Sequence, residues 1–298
     1  MAGFFAFAEF LELATFVLLL SAMAVSHPCT LGKMTTGPRA IRARRYVMPF
    51  REGGSVPVLV EGDDLGMYVV KLRGAAQGAK ALTAELIVGA LAAAAKLPVP
   101  EIVFVDLDAS MAASEPDPEL AEPLEKSIGV NLGLDYLPGS ITFDPLADPT
   151  PDPIFASRVA LFDSLTTNVD RTPRNPNLLC WHRRVWLIDH GACLYFHHDW
   201  RREDRLNGAL DPFAEIRSHV LLPWASALTD AAEHLRSTLT DEAIADAVAP
   251  IPDAWLDVDR SFDTHEAQRA AYVDWLRARR AAIPLLLEEA QRARTPSI

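Results

Sequence analysis

Three polar residues, Asp170, Asn175 and Asp189, do most to limit what this chain can build. The first two lie in Asn168-Val169-Asp170-Arg171-Thr172-Pro173-Arg174-Asn175, and the third closes an apolar run in Leu187-Ile188-Asp189-His190-Gly191. Pro173 has no N–H and biases Thr172 away from the helical region, so the segment cannot continue as helix. A loop of this kind can curl until the side chains of Asp170 and Asn175 face one point. Beyond it, Leu178 to Trp181 reads as a strand, Arg183-Arg184 as a turn, and Val185 to Ile188 as the returning strand. Such a hairpin would bring Asp189 back beside the loop, with Gly191 allowing tight backbone geometry. A plainer reading stays open, because Asp, Asn and Pro are also ordinary turn formers.

One carboxylate at an attacking hydroxyl, with a carboxamide and a second carboxylate on a metal, is the set that phosphoryl transfer from ATP requires. Hard oxygen donors of this kind suit magnesium or manganese. With the helix-like run Phe155 to Leu165 ahead of them, these residues resemble the HipA-like kinases. That family is a branch of the protein-kinase-like fold and shares features with phosphoinositide kinases. The resemblance covers most of Arg45 to Pro223. It implies an α+β, two-lobed fold with a small β-rich N-lobe and a mostly helical C-lobe. It also implies ATP and Mg2+ as cofactors, with γ-phosphoryl transfer to a hydroxyl acceptor, expected to be protein Ser/Thr; a small-molecule kinase and an inactive ATP-binding regulatory module are the alternatives. Asp170 would orient or deprotonate that hydroxyl, and Asn175 and Asp189 would hold the metal. Phosphoinositide-type relatives usually carry His after Asp-Arg, whereas this chain has Thr172.

Upstream, Gly66 to Leu72 is an apolar β run that contains Lys71. From alternation alone Lys71 could be a solvated edge-strand residue; the resemblance makes it the phosphate-contacting Lys. Ala76 to Leu97 is rich in Ala and Leu, has no Pro before Pro98, and reads as a helix that carries Glu85. Either Glu85 is one polar residue on an amphipathic helix, or it pairs with Lys71 as kinase folds require. A Pro-turn and a buried strand follow, to Val105. Asp106 to Glu125 reads as surface loop or short helix. Gly129 to Asp135 is a strand that runs into Pro138-Gly139, and the resemblance makes Asp135, Tyr136 and Leu137 the hinge that meets adenine. Gly53, Gly54 and Ser55 could offer backbone N–H groups to phosphates. An ordinary hairpin loop is the competing reading, since no Gly-x-Gly-x-x-Gly or Gly-Lys-Ser is present.

The chain of 298 residues is long enough for two lobes, placed at 39–137 and 138–298 after an apolar extension over 1–38. Half of its residues are hydrophobic, which excludes a disordered chain, and the net charge of −12 argues against a nucleic-acid surface. Arg39, Arg42, Arg44 and Arg45 form the one basic cluster. Leu13 to Val25 is too short for a comfortable membrane span, which needs about 20 residues. Its expected readings are a translation start near Met34 or, with Lys33 to Arg45 behind it, an anchor that leaves the rest cytoplasmic. A cytoplasmic location is expected either way. Cys29, Cys180 and Cys193 are too few and scattered for a disulfide framework or zinc site. Cys180 and Cys193 read as buried thiols, and His197-His198 as surface or loop histidines. Beyond Trp200 helices are expected over Ala225–Leu239, Asp241–Ala249 with Thr240 as cap, Glu266–Ala281 and Leu285–Ala293. Phe213 to Pro223, with His219, carries no readable chemistry and is expected to be a structural helix.

Overall fold

The computed structural model describes residues 37–50, 57–75, 78–113, 117–147, 150–200, 203–257 and 259–295. The apolar extension and Gly53, Gly54 and Ser55 therefore lie outside the described residues. The fold is α+β. Its first part is a barrel of β1 (Ala40–Pro49), β2 (Val58–Gly62), β3 (Met67–Lys71), β4 (Ile102–Leu107) and β5 (Gly129–Asp135). The strands close in the order β1-β2-β3-β5-β4, and the closure is a short parallel pairing of Ala40 to Arg42 against Phe104 to Asp106. Closure removes the open edges that a small sheet would otherwise expose.

Alternation sorts the barrel residues. Val58, Val60, Tyr68, Val70, Val103 and Val105 point inward and make a core of their own. Lys71, one residue past Val70, therefore points out of the barrel. At Gly133 a Cβ would meet Val105 Cγ2 at 2.5 Å, so only glycine lets the Val pair of β4 close over β5.

Between β3 and β4 runs α1 (Gly78–Ala94). It ends with Lys96 at φ 58° and with Leu97 N–H bonded to Ala92 O at 2.9 Å, a Schellman closure before Pro98. It is buried around most of its girth, which suits its Ala and Leu content. Its Leu82, Leu86, Ile87 and Leu91 belong to the same continuous core as Phe162, Leu187, Leu194 and Trp255, far along the chain. α2 (Ala109–Ala113) and α3 (Pro118–Glu125) precede β5.

The remainder is a helical body. α4 (Pro153–Thr166) starts at Asp152, whose carboxylate accepts from Phe155 N–H, with Pro153 as its first residue. A small sheet follows: β6 (Ile141–Thr142), β7 (Leu178–Trp181) and β8 (Arg184–Leu187), in that spatial order. Trp181 pairs with Arg184, so the turn is His182-Arg183, one residue earlier than the sequence suggests. Both turn residues have positive φ, 47° and 61°, which matches the twist of a two-residue hairpin.

α5 (Leu228–Thr238), α6 (Asp241–Val248), α7 (Asp253–Leu256), α8 (His265–Ala281) and α9 (Ile283–Arg294) complete the body. Thr240 caps α6 and Thr264 caps α8 through their hydroxyls. Phe213, Trp255 and Trp275 are core residues, with Trp224 packed half-buried against them. The expected structural helix over Phe213 to Pro223 is instead two short 3-10 turns, Ala214–Ser218 and Leu222–Trp224. Among the described residues no helix is long and apolar enough to cross a membrane.

Two sequence expectations for single residues change. Cys193 is buried but Cys180 only partly so. His197 is wholly buried, because Tyr195–His198 is a 3-10 turn and not a strand; its Nδ1 lies 3.0 Å from Tyr272 Oη. His198 stays exposed.

Candidate functional site

The outward-facing Lys71 meets α1 and the end of β8 at once. Its Nζ lies 2.8 Å from Glu85 Oε2 and 2.6 Å from Asp189 Oδ1. Glu85 is buried and accepts a second bond from the backbone N–H of His190, at 2.7 Å. Burial alone would favour the neutral carboxyl, but the Lys71 charge outweighs it and holds Glu85 down at about 2. For Lys71 burial opposes the charge, and the two carboxylates overcome it, so the ammonium is kept above its ordinary range. Asp189 sits at φ 56°, a left-handed position that Asp tolerates better than most residues. Its side chain is 43% exposed, unlike that of Glu85.

The loop after α4 is built by local Asx chemistry. Thr167 in the left-handed region ends the helix, and Asn168 Oδ1 accepts from Asp170 N–H at 3.1 Å. Two carboxamides then converge on one oxygen of Asp170. Asn175 Nδ2 donates to Oδ2 at 2.8 Å and Asn177 Nδ2 at 3.2 Å. With its nitrogen so engaged, Asn175 directs its amide oxygen elsewhere.

Beneath the loop lies a charged cluster to which the sequence reading gave no role. Asp163 in α4 accepts from Arg171 Nε at 2.6 Å, His219 Nε2 at 2.8 Å and Asn168 Nδ2 at 3.2 Å. His219 Nδ1 accepts from Leu221 N–H, so Nε2 carries the proton given to Asp163. Asp163 is fully buried; that would raise its pKa, yet the Arg171 charge holds it at about 2. Arg171 also donates to Asn177 O and, at 3.4 Å, to Ile188 O. Ile188 N–H bonds Asn177 O at 3.1 Å. Arg171 thereby ties the Asp170 loop to the strand end that presents Asp189. The one available sequence signal is Asp163 itself, a charge that directly follows the apolar run Val159 to Phe162.

The loop's supporting helix is braced from behind. Arg279 of α8 donates to Ser164 O, Leu165 O and Asp211 O. A cation at the carbonyl end of α4 complements its dipole. Burial without a carboxylate pair lowers its pKa to about 10.

At the hinge, two of the three expected residues have committed amides. Asp135 N–H bonds Glu101 O and Tyr136 N–H bonds Met67 O, each at 2.9 Å. Leu137, buried where β5 ends, is the third. Burial, then the nearby Glu101 charge, raises the Asp135 pKa.

The structure thus brings Lys71, Glu85 and Asp189 into direct contact, and sets Asp170 and Asn175 against each other on the adjoining loop. The family model for HipA-like kinases matches residues 44–279, most of the chain, and the chain belongs to that family of kinases. A solved structure described as a proinflammatory kinase, CtkA, of Helicobacter pylori is similar at 12% identity and a TM-score of 0.48. That match covers 79% of this chain and 94% of the other. No curated protein matches the chain.

Proposed function

We propose that the protein transfers the γ-phosphoryl group of ATP to a hydroxyl acceptor, a protein Ser or Thr. The observation that carries this reading is the Lys71 ammonium held between the carboxylates of Glu85 and Asp189. In this reading the barrel is the N-lobe (39–137), the helical body is the C-lobe (138–298), and ATP enters the cleft between them. The Ser/Thr acceptor rests on family membership alone.

Lys71 is the phosphate-contacting cation. Glu85, buried and ionised, keeps its Nζ in the cleft when a nucleotide phosphate takes the place of Asp189 beside it. Asp189 and Asn175 would hold magnesium. Their donors, an exposed carboxylate and an amide oxygen, are the hard oxygens that this ion takes. When bound, the ion neutralises charge on the phosphate oxygens. Asp170 receives or orients the acceptor hydroxyl. Its Oδ2 is fixed by Asn175 and Asn177, so Oδ1 is the oxygen that turns to the acceptor. The Leu137 amide meets the adenine ring.

Calorimetry with ATP, with and without magnesium, tests the reading on the wild type and on Asp189→Ala. Magnesium-dependent binding that disappears in the variant is expected. Absence of binding by the wild type would overturn it. Phosphate transfer from labelled ATP to protein or to metabolite pools then decides the acceptor. Transfer to metabolites alone would mean a small-molecule kinase, and binding without transfer an inactive regulatory module.

A further inference from the structure

Lys80 stands in the first turn of α1, where the helix dipole disfavours a cation. Its place is explained by contacts outside the helix. Nζ donates to His197 O at 2.5 Å and pairs with Asp259 Oδ2 at 2.8 Å. The Asp259 side chain is only 6% exposed, and its Oδ1 accepts from Ser261 N–H at 2.9 Å. One part-buried ion pair, with the Lys80 side chain 20% exposed, therefore joins three segments: the helix that carries Glu85, the turn that follows Asp189 and His190, and the connection between α7 and α8.

The far side of this joint is stiff. His197 is fixed to Tyr272 by its ring nitrogen, and Phe196 stacks on Trp275 with centroids 3.8 Å apart and planes 16° from parallel. Lys80 and Glu85 are separated by about 7.5 Å along the axis and point in different directions. A helix turns as a unit, so a clamp at Lys80 sets the azimuth of Glu85. The other end of α1 is held as well, since His234 Nε2 lies 2.8 Å from Ala95 O.

We propose that Lys80 and Asp259 form a positioning pair that fixes α1 in the rotation where Glu85 meets both Lys71 and the His190 amide. The role in catalysis rests on the kinase reading of the Lys71 site. The pair touches no reacting group. Apolar packing already sets α1 in the core of the helical body; the pair adds a polar tie that fixes its rotation, so that the Lys71–Glu85 contact exists before nucleotide arrives.

The test uses the full chain with Lys80→Met, Asp259→Asn and the double variant. Hydrogen exchange at α1 amides is read against α4 and α9, beside thermal melting, ATP affinity and the kcat and KM for ATP. Exchange in α1 is expected to quicken about ten-fold while α4 and α9 keep their protection. kcat is expected to fall by about ten-fold or more, with the double variant no worse than Lys80→Met. Unchanged α1 protection, equal loosening of α4 and α9, or additive losses in the double variant would overturn the pair. If Lys80→Met does not fold, Asp259→Asn, which keeps the shape of the side chain, decides by the same exchange comparison. A wild type that binds no magnesium-ATP would remove the kinase reading, whereas the exchange comparison still decides whether the pair sets α1.

Discussion

The ammonium of Lys71 and the carboxylate of Asp189, brought from opposite sides of the fold, lie 2.6 Å apart. Lys71 leaves a barrel strand and Asp189 the end of a hairpin in the helical body, so their contact records how barrel and body are set against each other. Glu85 completes the contact from α1, whose apolar faces lie in the core of the body.

Asp189→Asn should separate chemistry from folding. Asparagine accepts the left-handed backbone found at this position, and the side chain is well exposed. Stability is expected to stay within about 0.5 kcal/mol of wild type in urea unfolding. Magnesium-dependent ATP binding is expected to be lost. An unfolded variant would show that Asp189 is a structural residue.

Arg171→Met should be far more damaging to the fold. It leaves the Asp163 carboxylate buried with His219 and Asn168 as its remaining partners, takes the guanidinium from Ile188 O, and leaves Asn177 O with its bond from Ile188 N–H. A loss of about 3–5 kcal/mol is expected from chemical denaturation. A loss below about 1 kcal/mol would mean that the cluster does not support the loop.

Acid should unfold the protein through two groups. Glu85 and Asp163 have folded pKa values of about 2, below their ordinary 4.5 and 3.8. A depressed carboxylate stabilises the fold fully above its unfolded pKa and loses that stabilisation as pH falls through the folded value. The melting temperature is therefore expected to decline most steeply between about pH 4.5 and pH 2. In Glu85→Gln the decline should be shallower. An unaltered slope would contradict the assignment of Glu85.

The β7–β8 turn offers a stabilising change. His182 and Arg183 both hold positive φ, a conformation that Asn-Gly adopts with less strain. His182→Asn with Arg183→Gly is expected to add about 1 kcal/mol, less whatever the ring contact of His182 with Trp181 contributes. Thermal melting would detect it, and a lower melting temperature would show that this ring contact outweighs the backbone relief.

Much of this architecture could be read along the chain because its cues are local. Pro173 and the Asx residues announce the loop, Thr240 announces a helix start, and alternation over Met67 to Lys71 tells which way Lys71 points. The turn falls at His182-Arg183, one residue before Arg183-Arg184, although neither residue favours the conformation that it adopts. His197 is buried and not at the surface because the 3-10 turn directs its ring at Tyr272.

What the sequence gives by itself is a resemblance to the family, the α+β character that it implies, and Lys71, Glu85, Asp170, Asn175 and Asp189 as candidates, since residue type and spacing need no partner to be seen. Only the tertiary structure decided which of these residues meet. Lys71 and Asp189 are 118 positions apart, and Lys80 and Asp259 are 179 apart. Contacts of that span arise where separate faces pack, and the cost of burying each charge is offset only once the distant partner is in place. Asp163 shows the same limit within a short span: nothing local reveals that Arg171 and His219 fold back to neutralise it.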